Sequence, residues 1–208
     1  EIEGLLVQAP TDDFKDDELR AIDDFVIGQS KPLAIVASAA VPAAGDARMV
    51  VTLSTHGLEK LTGGYGLELQ KDLVFDEASS FDVPVMTTES PKVLHMPFVA
   101  YAREEQQRLD ATSPIFFRVP DVYFPVPSSI QKHEDRQPGA KFRVLARSSS
   151  SAVRDVRTQP IELKPTAASV GEGAKGEVIL AASVEGKLTS AFKPGTKSAR
   201  DTRVLVIG

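Results

Sequence analysis

The sequence predicts an α/β fold with a Rossmann-like or flavodoxin-like, mostly parallel sheet, flanking helices and an irregular proline-rich insertion. The first reason is the segment Leu5–Ser38, which contains an apolar run, an acidic turn, an amphipathic helix, a glycine and a second apolar run. This order is typical of a strand–helix–strand unit with parallel strands. The second reason is the density of prolines between residues 84 and 138, which excludes long helices there.

The strand–helix–strand unit accounts for the N-terminal part of the chain. Strands are predicted over Gly4–Gln8 and Pro32–Ser38. A helix is predicted between them over Asp16–Ile27, with Gly28 as the residue that ends it. The second strand is apolar throughout, as expected when both faces of a sheet are covered. Apolar residues at helical spacing predict the buried face of the helix, namely Leu19, Ile22, Phe25 and Val26.

Shorter elements are predicted for the rest of the chain, and the prolines keep most of them extended. In the first half they are a loop at Val41–Asp46, a strand or the start of a helix at Met49–Leu53, a short helix at His56–Thr62, and a strand pair or kinked strand at Gly66–Asp76. In the second half they are a helical piece at Val99–Leu109, an edge strand or extended loop at Val119–Val126, and strands at Lys141–Ser148, Val178–Val184 and Arg203–Ile207.

Composition and charge exclude several classes of function. The chain has 208 residues, no cysteine and a net charge of −5. The absence of cysteine excludes disulfides, thiolate nucleophiles and cysteine metal sites. Residues 1–100 carry 7 basic and 17 acidic side chains, whereas the remainder carries 17 and 12, without a dense basic stripe. We therefore expect no nucleic-acid partner, and interpret the uneven charge as one acidic and one basic face that could serve protein contacts or a homo-oligomer.

The ends of the sequence suggest a piece of a longer protein. It begins at Glu1 rather than at a methionine, and it ends within the apolar segment Arg203–Gly208. A membrane-spanning helix needs about 20 consecutive apolar residues. The best candidate, Pro32–Ala44, is shorter and contains two prolines. We expect residues 1–208 to be one domain excised from a longer chain.

Several short motifs resemble those of a known family, in the same order along the chain. The first group is an apolar strand, Ala9-Pro10, an acidic helix containing Glu18–Asp23 (ELRAID), a glycine and Lys31–Val36 (KPLAIV). The further matches are Leu58-x-x-Leu61, Tyr65–Leu69, Asp72–Asp76, Arg143–Ser149, Val184–Leu188, Ser190–Phe192 and Arg203–Gly208. Together they resemble the GldG-like auxiliary component of gliding-motility-associated ABC transporters, over most of the chain except its proline-rich middle.

The resemblance implies an extracytoplasmic (periplasmic) α/β domain, similar in fold to glutamine-amidotransferase-like domains. In that family, transmembrane helices, which are absent from this sequence, hold the domain beside an ABC permease and an ATPase. Lys15 stands where the family tends to have a serine before the helix, so the cap is expected from Asp13 or Asp16. No strand–helix unit precedes Gly4, so the strand order that the family implies is not carried over to this chain.

Nucleotide binding is not expected. The loop after the first strand, Ala9–Asp13, contains no glycine that would let a phosphate approach, and its carboxylates would repel one. The segment Gly171–Gly176 matches G-x-G-x-x-G, but polar residues precede it and the strand Val178–Val184 follows it. The dinucleotide fingerprint needs a strand before it and a helix after it, so we interpret this segment as a loop.

Catalysis also finds little support in the sequence. Ser38 follows a strand, but the glycines of a nucleophile elbow are absent around it. The nucleophile of amidotransferases is a cysteine, which this chain lacks. The three histidines, His56, His95 and His133, are far apart without paired spacing. We predict no catalytic residue and no cofactor.

Acidic residues offer the one alternative for a metal site. Four aspartates near the start of the predicted helix could collect a divalent cation, but a helix N-terminus already stabilises negative charge. We favour the helix-capping interpretation and predict no metal. The remaining pair, Asp72 and Asp76, is interpreted as edge or turn residues. The four aspartates are Asp12, Asp13, Asp16 and Asp17.

The proline-rich middle carries most of the aromatic side chains. A half-buried core is one interpretation of them, and a contact surface for a partner is the alternative, because aromatic residues and arginine are enriched at interfaces. The predicted partner surface consists of Phe116, Phe117, Tyr123 and Phe124.

Three hypotheses about function follow from these residues and the resemblance. The first is a non-catalytic extracytoplasmic domain of an ABC transport system auxiliary component, acting through protein contacts or ligand binding. The second is a module that binds a sugar or a peptidoglycan fragment in the crevice at the strand ends. The third is a divergent hydrolase on the same fold.

Overall fold

The computed structural model describes residues 2–43, 49–86, 90–165 and 173–208. It is mostly β-structure, with 42% strand and 17% helix, and two α-helices lie in the described part of the chain. These are α1 (Asp16–Gly28) and α2 (Leu58–Gly64). The strands in chain order are β1 (Leu5–Gln8), β2 (Leu33–Val36), β3 (Ala40–Pro42), β4 (Val50–Leu53), β5 (Leu67–Leu69), β6 (Leu73–Phe75), β7 (Ser80–Met86), β8 (Pro91–Arg103), β9 (Asp121–Pro125), β10 (Ile130–Lys132), β11 (Lys141–Arg147), β12 (Val153–Asp155), β13 (Ile161–Glu162), β14 (Ala174–Lys175), β15 (Ile179–Gly186) and β16 (Thr202–Ile207).

The largest sheet has seven strands in the order β1-β2-β16-β15-β10-β5, with β11 also paired to β15. Among its described strands, only β1, β2 and β16 are parallel to one another, and the other pairings are antiparallel. Three smaller sheets, β14-β12-β6, β13-β4-β3 and β7-β8-β9, are antiparallel as well. The predicted Rossmann-like or flavodoxin-like, mostly parallel sheet flanked by helices is therefore wrong.

The error has a physical reason. Each parallel pair needs a long crossover, usually a helix, and α1 is the helix that directly connects two parallel strands, β1 and β2. Both α-helices pack into one core with Leu33 and Val204 on the same face of the large sheet. On the opposite face no described α-helix covers β1, and Leu6 is 58% exposed there.

The N-terminal unit confirms the predicted strands and helix to within two or three residues. The predicted buried face of α1 holds for Leu19 and Val26, whereas Ile22 and Phe25 are only partly buried. Asp23 and Ile27 are the other two buried residues of α1.

Both predicted ends of this helix are corrected. The residue that precedes it is Lys15, and neither Asp13 nor Asp16 caps it; the Glu18 carboxylate instead accepts a hydrogen bond from the Lys15 backbone N–H at 2.8 Å. Gly28 is the last helical residue, and the left-handed turn falls on Ser30 (φ 54°).

Some of the remaining secondary-structure predictions are confirmed, and others are wrong. The edge strand in Val119–Val126 is confirmed as β9, at the edge of its sheet, and Gly66–Asp76 forms two strands, β5 and β6, in different sheets. The helical piece predicted at Val99–Leu109 shrinks to a 3-10 turn at Glu104–Gln106, because the alternating residues before it continue β8 through Arg103. The loop predicted at Val41–Asp46 begins as β3, and its later residues lie outside the described part of the chain.

Strand β6 connects the four sheets. Its three side chains are completely buried, with Leu73 and Phe75 packed against β4 and β13 and Val74 packed on the core below the large sheet. Within its own sheet it pairs with β12. The N–H of Asp76, just after β6, donates to Pro97 O in β8 at 2.7 Å. This short strand is therefore where the separate layers of the protein meet.

Two buried carboxylates flank β6. The interpretation of Asp72 and Asp76 as edge or turn residues is confirmed, since β6 is an edge strand of its sheet and Asp76 caps the 3-10 turn Glu77–Ser79. Their burial was not predicted, and both are 0% exposed. Asp72 accepts hydrogen bonds from the N–H of Ser129 at 2.8 Å and from its hydroxyl at 2.6 Å. Asp76 accepts the same pair from Ser149, at 2.6 and 2.5 Å. Each carboxylate thus anchors a serine next to a strand of the large sheet.

A third buried carboxylate joins α1 to the end of the chain. Asp23 accepts hydrogen bonds from the Tyr65 hydroxyl at 2.6 Å, the Ser190 hydroxyl at 2.5 Å and the Ala191 N–H at 3.0 Å. Burial, followed by the neighbouring Asp23 charge, raises the pKa of Tyr65 far above its usual value. Three motifs that are distant in the sequence therefore meet in one hydrogen-bonded cluster.

None of the helices in the described residues is long and apolar enough to span a membrane.

The Asp72 anchor gives a test of this account. Asp72→Ala leaves the buried Ser129 N–H and hydroxyl without an acceptor and removes the ion pair with Arg154, so the free energy of unfolding should fall by about 3 kcal/mol. Ser129→Ala removes only the hydroxyl and keeps the backbone hydrogen bond, so it should cost about 1 kcal/mol. Urea unfolding of both variants measures the difference, and equal losses would show that the Ser129 backbone hydrogen bond and the Arg154 ion pair together contribute nothing.

Candidate functional site

The parallel strands end together at one side of an open cleft of about 780 Å³. Ala9 follows β1, Ala37 follows β2 and Gly208 follows β16, and all three line the cleft. The opposite wall is β9 from Val122 to Pro125. Ligands of open sheets that contain parallel strands usually bind where the carboxyl ends of those strands meet. The arrangement is therefore the strand-end crevice that the sequence predicted, with a wall built from the proline-rich segment.

The lining of this cleft is apolar. Among the described residues that line it, none has a charged side chain, and its hydroxyl groups belong to Thr11, Ser38 and Tyr123. Its volume lies within the range of sites that hold small molecules or short segments of a protein chain. Because charged and amide groups are absent from the lining, the cleft suits an apolar group far better than a phosphate or a sugar.

Two residues that line the cleft have an unfavourable backbone conformation. Ala9 has a φ of 40° and Val126 a φ of 45°, where residues other than glycine are uncommon. For Val126 the conformation is doubly unfavourable, since its side chain is β-branched and Pro127 follows it. Each such residue costs on the order of 1–3 kcal/mol, which the surrounding structure must offset.

Serine hydroxyls hold the floor of the cleft together. Ser38 donates a hydrogen bond to Val126 O and accepts one from the Ala40 N–H at 2.9 Å. Ser128 accepts from the Ala39 N–H at 2.8 Å and donates to Asp72 O at 2.6 Å. Since the Ser38 proton is directed at a carbonyl oxygen, the hydroxyl acts as a structural link rather than as an activated nucleophile.

The structure divides the predicted partner surface into buried and exposed residues. Phe116 and Phe124 are 6% and 3% exposed, whereas Phe117 and Tyr123 are 65% and 42% exposed. Three of the four, all except Phe117, line the cleft. The aromatic residues of the proline-rich middle therefore serve both as core and as a wall of the cleft, which the sequence pattern could not separate.

The exposed tyrosine belongs to an aromatic ladder on the β7-β8-β9 sheet. Tyr123 stacks on Tyr101 with the ring centroids 4.3 Å apart, and Phe81 meets Tyr123 edge-on at 4.7 Å. The Arg103 guanidinium lies 4.1 Å from the Tyr101 centroid. A hydrogen bond to Asp121 is the main cause that raises the pKa of Tyr101 to about 12. These rings pack against one another, so they are poorly placed to stack on a sugar.

Each histidine lies beside a different carboxylate. The pairs are His56 Nδ1 with Asp13 at 2.9 Å, His95 Nδ1 with Asp82 at 2.6 Å, and His133 Nε2 with Glu68 at 3.2 Å. His95 and Asp82 face each other across the β7-β8 pairing, whereas Asp13 and Glu68, the partners of His56 and His133, line one open pocket. The pairing with carboxylates was missed, although a hairpin register would have placed Asp82 directly opposite His95.

One of these pairs has a serine beside it. Ser80 Oγ lies 3.1 Å from His95 Nδ1 and 3.3 Å from His95 Nε2. A serine that transfers its proton to Nε2 lies along the lone pair of that nitrogen, and it is then much farther from Nδ1. Because Ser80 is almost equally distant from both nitrogens, the group lacks the geometry of a catalytic triad.

Two of the four aspartates near α1 have basic partners, namely His56 for Asp13 and Lys60 for Asp16. Asp16 accepts from the Lys60 ammonium at 2.8 Å, and this hydrogen bond is the main cause that lowers the pKa of the exposed Asp16 carboxyl. No group of three or more histidine and acidic side chains in the described ranges is arranged to hold a metal ion. The G-x-G-x-x-G segment lies partly outside those ranges, and its residues Ala174–Lys175 form strand β14 rather than the predicted loop.

An ion pair positions the loop that carries Phe116 toward the cleft. Asp110 accepts hydrogen bonds from Arg143 in β11, one of them from Nη2 at 3.0 Å, and from the Thr112 hydroxyl at 2.7 Å. The Arg143 hydrogen bond is the main cause that lowers the pKa of Asp110 below its usual value of 3.8. The loop between β8 and β9 is therefore held to β11 at Asp110, and it reaches the cleft at Phe116.

Comparisons with known proteins concern the chain as a whole. A family model described as an ABC-type uncharacterized transport system matches residues 1–208. No curated protein matches the chain, and no solved structure matches it.

The Asp110–Arg143 pair predicts a dependence of stability on pH. A lowered carboxyl pKa in the folded state contributes stability that is fully present above the unfolded value of 3.8 and is lost as the pH falls through the folded value. Asp110→Asn should therefore lower the melting temperature at pH 7, by an amount equivalent to about 1 kcal/mol or less. The difference in melting temperature between the variant and the parent protein should become smaller below pH 3.8. The same difference in melting temperature at all pH values would contradict this account.

The two neighbouring aromatics of β9 should respond differently to truncation. Phe124→Ala removes a buried ring and should lower the free energy of unfolding by about 3–5 kcal/mol. Tyr123→Ala removes a ring that is 42% exposed and should cost much less, about 1 kcal/mol. Urea unfolding compares them. A larger loss for Tyr123→Ala would mean that the aromatic ladder, rather than the core below it, stabilises this wall.

Proposed function

The chain belongs to the ABC-type uncharacterized transport system family, and on that premise we propose that it is a non-catalytic, extracytoplasmic module whose cleft holds an apolar segment of another protein of the transporter. The family match indicates an auxiliary component of an ABC-type transport system. An auxiliary component acts by contact with other subunits, so a surface that favours contact is the feature to look for. The cleft at the ends of β1, β2 and β16 is that surface.

The apolar lining of the cleft is the observation that most strongly supports this proposal. The three hydroxyl groups of the cleft are outnumbered by alanine, valine, proline and phenylalanine side chains. Removing such apolar surface from water favours binding by roughly 25 cal/mol per Å². A protein segment with apolar side chains gains from this burial, whereas the many hydroxyl groups of a sugar would lose hydrogen bonds to water without replacement. The sugar or peptidoglycan alternative is therefore the weaker one.

The proposal that the module is non-catalytic is supported by geometry. Ser38 donates its proton to Val126 O, and the Ser80–His95 arrangement is unsuited to proton transfer. The cysteine required by amidotransferase chemistry is missing from the chain. Steady turnover of an ester, amide or glycoside that His95→Ala abolishes would contradict the proposal.

The location of the module is proposed from the GldG-like resemblance. In that family, transmembrane helices hold the domain outside the cytoplasm beside an ABC permease and ATPase. We infer the same placement here, with the permease as the subunit close enough to reach the cleft. A role in gliding motility would be one use of such a module.

Site-specific photocrosslinking in cells tests the proposed contact. With p-benzoyl-phenylalanine in place of Val41, which lines the cleft, crosslinks to a permease subunit should form and be identifiable by mass spectrometry. The control replaces Ala21, which is exposed on α1, and should give few such crosslinks. Tyr123→Ala should lower the yield from position 41, because it removes part of the cleft wall.

Two results would overturn the proposal. One is crosslinking to transporter subunits from position 21 but not from position 41, which would place the contact on the helical side. The other is crosslinking from position 41 to no transporter subunit while the protein is folded and present in normal amounts.

A further inference from the structure

We propose that Ser38 and Val126 form a latch that sets the width of the cleft, and that releasing their hydrogen bond lets the β9 wall move away from the strand ends. The proposal rests on the proposed function only in making the cleft the site that is controlled. The latch itself is a property of the empty protein, so it can be tested without any ligand.

The latch is inferred first from what holds Val126 in its unfavourable conformation. Its N–H donates to Phe98 O in β8 at 2.7 Å, and its carbonyl oxygen accepts from the Ser38 hydroxyl. A positive φ persists only where the surroundings over-determine it. Of these two bonds, the one to Phe98 lies within the β7-β8-β9 sheet. The bond to Ser38 is the one that crosses to the large sheet.

The second argument is the position of Val126 between an anchored segment and an edge strand that is held by one strand pairing and by the single buried ring of Phe124. After it, Pro127 O accepts from the Val74 N–H at 2.8 Å, and the Ser129 side chain is anchored to buried Asp72. Before it, β9 is an edge strand that pairs on one side only, with β8. A change of φ at Val126 would therefore displace β9 rather than the anchored segment, and the width of the cleft would change.

The third argument is the place of Ser38. It follows β2, the middle of the three parallel strands, and its hydroxyl also accepts the Ala40 N–H at 2.9 Å. The hydroxyl is thus oriented by the backbone of the floor and directed at the wall. Strained residues concentrate at sites where a segment has two accessible arrangements, and this hydrogen bond is placed to select between them.

Hydrogen exchange of the Val126 amide in the ligand-free protein is the test. Ser38→Ala removes the donor to Val126 O but leaves the Phe98 acceptor of the Val126 N–H in place. That amide should nevertheless exchange about tenfold faster or more, because relief of the strain favours the open arrangement. The Val184 amide in β15 reports global unfolding and should change far less.

Two further variants separate the latch from a simple loss of one hydrogen bond. Ser198→Ala is the matched control, since Ser198 is buried and its hydroxyl accepts the Leu188 N–H at 3.1 Å, away from the cleft. It should leave the Val126 amide unchanged. Val126→Asn places a residue that tolerates positive φ at the strained position. It should slow exchange of its own amide, after correction for intrinsic rates, and should cancel most of the effect of Ser38→Ala.

The outcomes decide the proposal in each case. Faster exchange at Val126 in Ser38→Ala, absent in Ser198→Ala and suppressed by Val126→Asn, supports the latch. An equal effect of Ser38→Ala with and without Val126→Asn overturns it, as does exchange that rises equally at Val126 and Val184. If Ser38→Ala does not fold, Val126→Asn alone decides, because unchanged or faster exchange at position 126 overturns the latch. Failure of the crosslinking experiment would leave all of these results unaffected.

Discussion

The buried carboxylates at the two ends of β6 are the constraint on which the rest of the structure depends. Asp72 and Asp76 are fully buried, and a buried charge is tolerated only when hydrogen bonds replace the water it has lost. Ser129 and Ser149 supply most of those bonds, each from its backbone N–H and its hydroxyl. The Arg154 guanidinium adds an ion pair to Asp72 at 2.6 Å, and the Ser79 N–H donates to Asp76 at 3.2 Å. The requirement fixes where the large sheet lies relative to β6, and through β6 it fixes the smaller sheets.

The cleft is a consequence of that anchoring. Because Asp72 holds Ser129, the segment just after β9 has a fixed position, and β9 must cross in front of the parallel strand ends to reach it. Val126 takes up the change of direction with its positive φ. The lining of the cleft is apolar for a related reason. Phe116 and Phe124 belong to the core between the sheets and also form part of the cleft wall. The proposed contact site is thus built from residues that also hold the fold together.

The auxiliary role also fits what the fold lacks among its described residues. The loop after β1 offers no glycine and no backbone cradle for a phosphate, and the hydroxyl after β2 is held by a carbonyl oxygen. At the positions where α/β enzymes place nucleotides and nucleophiles, this chain places alanine, proline and an engaged serine. Strand ends that serve chemistry in other proteins are here available for contact.

The sequence by itself determined the elements whose signals are local. Apolar periodicity and the acidic turn predicted β1, α1, β2 and their parallel pairing, and short segments rich in apolar residues predicted β11, β15 and β16. Only the tertiary structure decided which later strands pair, that Asp72 and Asp76 are completely buried, and that Phe116 is core while Phe117 is exposed. The physical reason is that pairing and burial depend on contacts between segments far apart in the chain, such as Asp72 with Ser129. A local pattern contains no information about whether a carboxylate will find a distant partner for its hydrogen bonds.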